Sequence, residues 1–166
     1  HRKRSGDLRR VSQRSDCICL RGTGSLPEDS GAVHQTYFVN QQGRIMDTQE
    51  IMQLPTASLA YLGDAVLEVM VRELLVLDGK GEIHERALEY VTAVSQSIAA
   101  DKILQDLTAE ELSVYKRGRN SAHTAPKSAT RAQYGRATGL ECVFAYLHLS
   151  GQQERMQILF QKAFIK

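Results

Sequence analysis

Leu59-Ala-Tyr-Leu-Gly-Asp-Ala-Val-Leu-Glu68 decides the fold. It belongs to an apolar helix, for between Leu59 and Leu77 the only charged side chains are Asp64, Glu68, Arg72 and Glu73. The first three recur every four residues and so share one helix face, while everything around them calls for burial. Gly63-Asp64 weakens the middle of this helix: Gly costs roughly 1 kcal/mol against Ala in a helix interior, and Asp is also a poor helix former. Local sacrifices of this kind cluster at functional sites, which makes Asp64 the first candidate. On pattern alone, a solvated stripe with an i,i+4 ion pair accounts for Asp64, Glu68 and Arg72 equally well.

Outward from this stretch, helix follows helix. Residues 55–77 form the central helix, and Asp78-Gly79-Lys80-Gly81 supplies the turn that stops it. Residues 83–104 place Ile83, Ala87, Tyr90, Val91, Val94 and Ile98 at helical spacing, which predicts one amphipathic helix. Thr108-Ala-Glu-Glu111 is a capping box flanked by Leu107 and Leu112, the positions of a hydrophobic staple. Pro126 breaks the chain beyond it. Thr130-Arg-Ala-Gln133 repeats the capping pattern and opens a helix to about Ser150, where Gly151 can take positive φ. Met156, Leu159, Phe160 and Phe164 mark a last amphipathic helix. With no strand period in residues 46–166, the expected fold class is an all-α bundle.

The net charge of +2 over 166 residues hides a division. Residues 1–45 hold eight Lys/Arg and four Asp/Glu, whereas residues 46–166 hold thirteen and fifteen. The first stretch is rich in Arg, Ser, Gly and Asp and lacks a helical period, so it is expected to be a disordered or foreign basic extension. The patterned domain is residues 46–166, enough to bury one core. Cys17, Cys19 and Cys142 make neither a disulfide framework nor a zinc set, and a reducing cytoplasm is the simplest setting. No apolar run reaches the ~18 residues of a membrane helix, so no membrane partner is expected.

Two features look chemical. Glu141 is the only carboxylate between Glu111 and Glu154, and it sits among apolar neighbours in Leu140-Glu-Cys-Val-Phe-Ala-Tyr-Leu147. A buried lone acid needs a cation, so a metal, or a salt bridge with Arg117 or Arg136, belongs against it. The stretch 112–140 contains Lys116, Arg117, Arg119, Lys127, Arg131 and Arg136 and no acid, with Asn120, Ser121, His123, Thr124 and Ser128 interspersed. By itself this could be a solvated loop, but it is also the mixture that grips phosphate and sugar oxygens. Isolated carboxylates beside a basic stretch suit phosphodiester hydrolysis, in which carboxylates hold Mg²⁺ and basic groups hold the polyanion.

Residues 59–68 resemble the signature helix of the ribonuclease III family, and Ala137-Thr-Gly-Leu-Glu-Cys-Val-Phe-Ala-Tyr-Leu147 resembles its second acidic helix. Tyr115-Lys-Arg-Gly-Arg-Asn120, Ala125-Pro-Lys127 and Tyr134-Gly-Arg-Ala-Thr138 are similar, in order, to motifs of the Mini-III branch, which has the catalytic domain and no separate double-stranded-RNA-binding domain. The resemblance covers residues 46–166. Where the larger family uses four carboxylates, two carry over, Asp64 and Glu141, and Ala60 and Thr138 stand at the other two positions.

The resemblance implies a homodimeric, Mg²⁺-dependent endonuclease that cuts double-stranded RNA and, in the Mini-III branch, matures the 23S ribosomal RNA precursor in a ribosomal context. Asp64 and Glu141 would hold the metal and serve catalysis. Lys116, Arg117, Arg119, Asn120 and Lys127 would bind RNA, Asn120 being a candidate for the 2′-hydroxyls. The alternative is a catalytically silent RNA-binding or ribosome-associated protein with the same fold. Retention of Asp64, Glu141 and Gly63 argues against it.

Overall fold

The computed structural model describes residues 45–122 and 125–165. The extension expected at residues 1–45 thus lies outside the described residues except for Ile45, as do His123 and Thr124. Every regular element among the described residues is helical: α1 (Thr48–Gln53), α2 (Thr56–Asp78), α3 (Ile83–Val91), α4 (Ala93–Ile103), a short 3-10 turn Leu104–Asp106, α5 (Ala109–Ser121), α6 (Arg131–Leu149) and α7 (Gln153–Phe164). The expected all-α fold is the observed one.

The centre of the fold is α6, which packs against α2, α4, α5 and α7. Its buried residues run almost unbroken from Gly135 to Leu147, with Leu140, Val143, Phe144 and Leu147 fully enclosed. A helix that is apolar on all sides is stable only where neighbours cover every face. Two of those contacts depend on glycine. A Cβ on Gly139 would strike the Tyr115 ring and backbone, and one on Gly118 would strike the Thr138 carbonyl and the Cys142 sulfur. The backbones of α5 and α6 can therefore approach closely, and each helix is rigidly placed against the other.

The caps read from sequence are present. Thr108 Oγ1 accepts from Glu111 N while Glu111 Oε2 accepts from Thr108 N, and Thr130 and Gln133 do the same at the start of α6. Gly79 (φ 64°) ends α2 and Gly151 (φ 69°) follows α6, as the turn chemistry demands. Glu111 does more than cap. Its side chain is buried, and Arg155 of α7 meets it with a fork, Nε to Oε1 at 2.9 Å and Nη2 to Oε2 at 2.8 Å.

The single helix expected over residues 83–104 is instead two. Thr92 leaves the helical region (ψ 149°), and its Oγ1 accepts from Ser95 N, so it caps α4 and ends α3. A Thr whose hydroxyl reaches the backbone three residues on offers the chain an alternative to continuing the helix. The buried face of α4 is correspondingly Gln96, Ser97, Ala99, Ala100 and Ile103, while Ile83 and Ile98 are exposed. At the other end of the fold Met46 N donates to Leu149 O at 3.0 Å, and the Ile45 side chain covers Gly151.

Candidate active site

Gly63 explains how Asp64 and Glu141 meet. A Cβ at Gly63 would overlap the backbone carbonyl of Glu141, so α2 and α6 touch main chain to main chain at this point. The residue after the glycine on α2 and the residue opposite it on α6 are the two carboxylates. Both line one cleft of about 540 Å³, together with Ala60, Tyr61, Ser121, Tyr134 and Thr138. The cost of glycine in mid-helix is thus offset by a helix crossing that no larger residue permits.

The electrostatics of the pair are unfavourable without a cation. Burial pushes the Glu141 carboxyl up from its ordinary 4.5 to about 7, and the neighbouring charge of Asp64 pushes in the same direction. The arginines that could have neutralised Glu141 are engaged elsewhere. Arg136 Nε donates to Ser97 Oγ at 2.8 Å and lies 3.5 Å from Asp101, and Arg117 faces the α1–α2 turn. Among the described residues no Lys or Arg forms an ion pair with Asp64 or Glu141. Glu68 and Arg72 do make the expected i,i+4 pair, one turn further along α2, and Asp64 stands apart from it.

The donor set suits a hard divalent cation. Among the described residues no group of three or more His, Cys, Asp or Glu is gathered for a metal, and the acids lining this cleft are Asp64 and Glu141. Mg²⁺ accepts that arrangement, since it keeps several waters and is commonly held by one or two carboxylates plus substrate phosphate. Thr138 and Ala60, where the larger family has acids, line the same cleft. The Thr138 hydroxyl donates to Tyr134 O at 3.0 Å, and neither residue supplies charge.

The basic residues divide. Lys116 and Arg119 are exposed on α5, Asn120 lies beside Arg119, and Lys127 is exposed in the turn before α6. Arg117, also expected to bind RNA, is placed differently from these. Its guanidinium is turned inward, donating through Nη1 to Met52 O and through Nη2 to Leu54 O at 2.7 Å, while its Nε is buried with no hydrogen-bond partner among the described residues. Carbonyls orphaned where α1 ends and α2 has not begun capture these donors, so Arg117 fastens α1 to the bundle. The sequence shows Tyr61 and Tyr134 only as parts of motifs and Ser121 only among the polar groups of the basic stretch, and gives none of the three a place in the cleft. Tyr61 and Tyr134 lie one helical turn from carboxylate or metal-side positions that were singled out, and that spacing was the only signal.

A model of the ribonuclease III domain matches residues 57–152, which span α2 to the turn before α7. The chain belongs to the ribonuclease III family, and it is an endoribonuclease. Within that family the similarity is to Mini-ribonuclease 3. The protein of that name from Symbiobacterium thermophilum is 43% identical over 116 residues, covering 68% of this chain and 89% of the relative. That from Enterococcus faecalis is 40% identical over 117 residues, covering 67% and 89%. A crystal structure of a protein from Fusobacterium nucleatum superposes with a TM-score of 0.63 at 29% identity, covering 68% of this chain and 93% of that one.

Proposed function

We propose that the protein hydrolyses phosphodiesters in double-stranded RNA with Mg²⁺, leaving a 5′ phosphate and a 3′ hydroxyl, and that its substrate is the 23S ribosomal RNA precursor. The observation that carries the reading is the carboxylate pair at the Gly63 crossing, two acids that line one cleft with no ion pair to a Lys or Arg among the described residues. Asp64 and Glu141 would hold the ion. Bound there, Mg²⁺ would lower the pKa of its water and neutralise charge developing on the phosphate. The chain's own groups do the rest. Lys116, Arg119 and Lys127 hold the backbone, and Asn120 offers an amide to the 2′-hydroxyls that mark RNA. The 23S substrate rests on the likeness to Mini-ribonuclease 3, which also suggests a ribosomal context in the cytoplasm. No helix among the described residues is long and apolar enough to cross a membrane.

The catalytic unit in this reading is residues 46–166, and it works as a homodimer. Leu62, Ala65, Val69, Met70 and Met156 form the apolar part of a groove of about 270 Å³ on α2, α6 and α7, whose lining also includes Glu73 and His148. Tyr61 and Leu77, on the same helix, are 84% and 87% exposed. A second copy is the occupant argued for, because α2 carries both the groove and Asp64. An isologous contact would set two clefts side by side and double the basic surface that a small domain without a separate RNA-binding module can offer.

Incubating duplex RNA with the protein in Mg²⁺ and in EDTA tests the reading. Cleavage in Mg²⁺ alone, lost in Asp64→Asn and in Glu141→Gln while both variants still bind RNA, is the expected result. RNA shifted in both conditions and cut in neither would identify a silent RNA-binding protein.

A further inference from the structure

A second cavity, of about 860 Å³, lies beside the carboxylate cleft, and of its lining only Arg119 and Asn120 take part in the proposed function. Asp101, Tyr115, Arg119, Asn120, Arg131 and Arg136 are among its lining residues. It shares Ala122 with the carboxylate cleft, so the two are neighbours at the end of α5.

The charges in this cavity do not balance. Three guanidiniums face one carboxylate, and only Arg136 is engaged, with Asp101 at 3.5 Å and Ser97 at 2.8 Å. Among the described residues the one side-chain hydrogen bond of Arg119 is a long one, Nε to Asn120 Oδ1 at 3.4 Å. Arg131 is exposed and forms no ion pair among the described residues. A further donor sits in the wall. Tyr115 is 2% exposed and its hydroxyl has no hydrogen-bond partner among the described residues. Burial, followed by the charge of Asp101, raises the Tyr115 phenol further above 10, while Arg119 and Arg136 act in the opposite direction, so it keeps its proton. Buried polar groups are rarely left unpaired, and a buried phenol beside two exposed guanidiniums that form no ion pair among the described residues calls for a ligand made of anionic acceptors. The planar fork of arginine fits a phosphate in two-point contact.

We infer that this cavity is a phosphate-binding site, and that during cleavage it holds a backbone phosphate of the same strand whose neighbouring phosphodiester lies between Asp64 and Glu141. The second half of this inference rests on the proposed function; the first does not. Gripping a phosphate away from the reacting one acts equally on the ground and transition states, so it sets KM and salt dependence more than kcat.

The test uses the full chain and the double variant Arg119→Gln/Arg131→Gln, with Arg72→Gln as a charge-matched control on α2. Arg131 makes no ion pair among the described residues and Arg119 only one weak bond, so the fold survives their replacement. Pyrophosphate is titrated first, read by the arginine Nε–Hε resonances. Saturable shifts of Arg119 and Arg131 are expected, with none from Arg72. Duplex RNA binding is then measured in EDTA against salt, followed by cleavage kinetics. The double variant should flatten the salt slope by about 1–2, raise KM and leave kcat nearly unchanged, and the control should do none of these. Shifts with pyrophosphate beside an unchanged RNA slope would overturn the backbone role and mark a site for free phosphate. No shift and an unchanged slope would overturn the inference entirely. If the wild type fails to cut duplex RNA yet shows the saturable shifts, the proposed function falls and the phosphate site stands.

Discussion

Glu141 is held in place at a cost to the fold, and pH exposes that cost. Its folded-state pKa of about 7 lies above the ordinary 4.5, so folding favours the protonated acid. Well below pH 4.5 both states are protonated and nothing is lost; between 4.5 and about 7 the unfolded chain ionises this acid while the folded protein resists, and above about 7 the loss is complete because the folded protein carries a charge that burial and Asp64 oppose. At ~1.4 kcal/mol per pKa unit the penalty is of order 3 kcal/mol above pH 7 without a divalent cation. Glu141→Gln should therefore be more stable than the wild type in EDTA at pH 8 by about that amount, and equal to it near pH 4, as read by urea denaturation. Equal stability at pH 8 would mean the carboxylate is better solvated than the crossing suggests. Arg117 shows the opposite relation between sequence and role. In the sequence it is one more cation in a basic stretch, indistinguishable from Arg119, because nothing local reveals that the ends of α1 and α2 will present carbonyls to it. Arg117→Met should cost about 1–3 kcal/mol by leaving those carbonyls unpaired, and should leave the salt slope of RNA binding unchanged. A flatter slope with unchanged stability would restore it to the RNA surface.

At the scale of elements, what could be read from the sequence was whatever is decided locally. The capping boxes at Thr108 and Thr130 and the glycine stops at Gly79 and Gly151 involve residues within a turn of each other, and all are in place. The break at Thr92 is also local, but it was masked by apolar spacing that continues on both sides of it. The central role of α6 is not local at all. It follows from four neighbours covering every face, and from Gly118 and Gly139 letting α5 approach. Glu111 belongs to both classes: its cap was legible, but its bond to Arg155 across the bundle was not. Burial alone would raise its carboxyl, yet the hydrogen bonds from Arg155 and Thr108 and the charge of Arg155 together hold it below 4.5. Its stabilising contribution is therefore present above the ordinary carboxylate range and disappears as pH falls through the depressed folded value. Glu111→Gln leaves Arg155 facing a neutral partner in a buried setting, and should cost about 3–5 kcal/mol at pH 7. The gap between variant and wild type should narrow on acidification. A gap independent of pH would show that the cap, not the ion pair, carries the contribution.

For the whole molecule, the question is why α2 keeps apolar residues on both sides. Leu59, Leu67, Val71 and Leu75 are buried in the core, as the sequence pattern requires, but Val69, Val76 and Leu77 are 54%, 62% and 87% exposed. A helix serving one core needs one apolar stripe, so the second stripe is unused within the single chain. In the proposed dimer it is the twofold contact, and Val69 lies in the apolar groove between Leu62 and Met156. Val69→Asp tests this without touching the core. Near an isologous axis the substitution places like charges opposite one another and desolvates both, whereas on a free surface it is nearly neutral. The expected variant is a folded monomer by sedimentation, with an unchanged helical spectrum. It should retain Asp64 and Glu141 but bind duplex RNA more weakly and with a flatter salt slope, because half of the basic surface is lost. A variant that stays dimeric would place the contact elsewhere. One that becomes monomeric yet binds and cuts duplex RNA like the wild type would show that a single cleft with its neighbouring cavity suffices for the reaction.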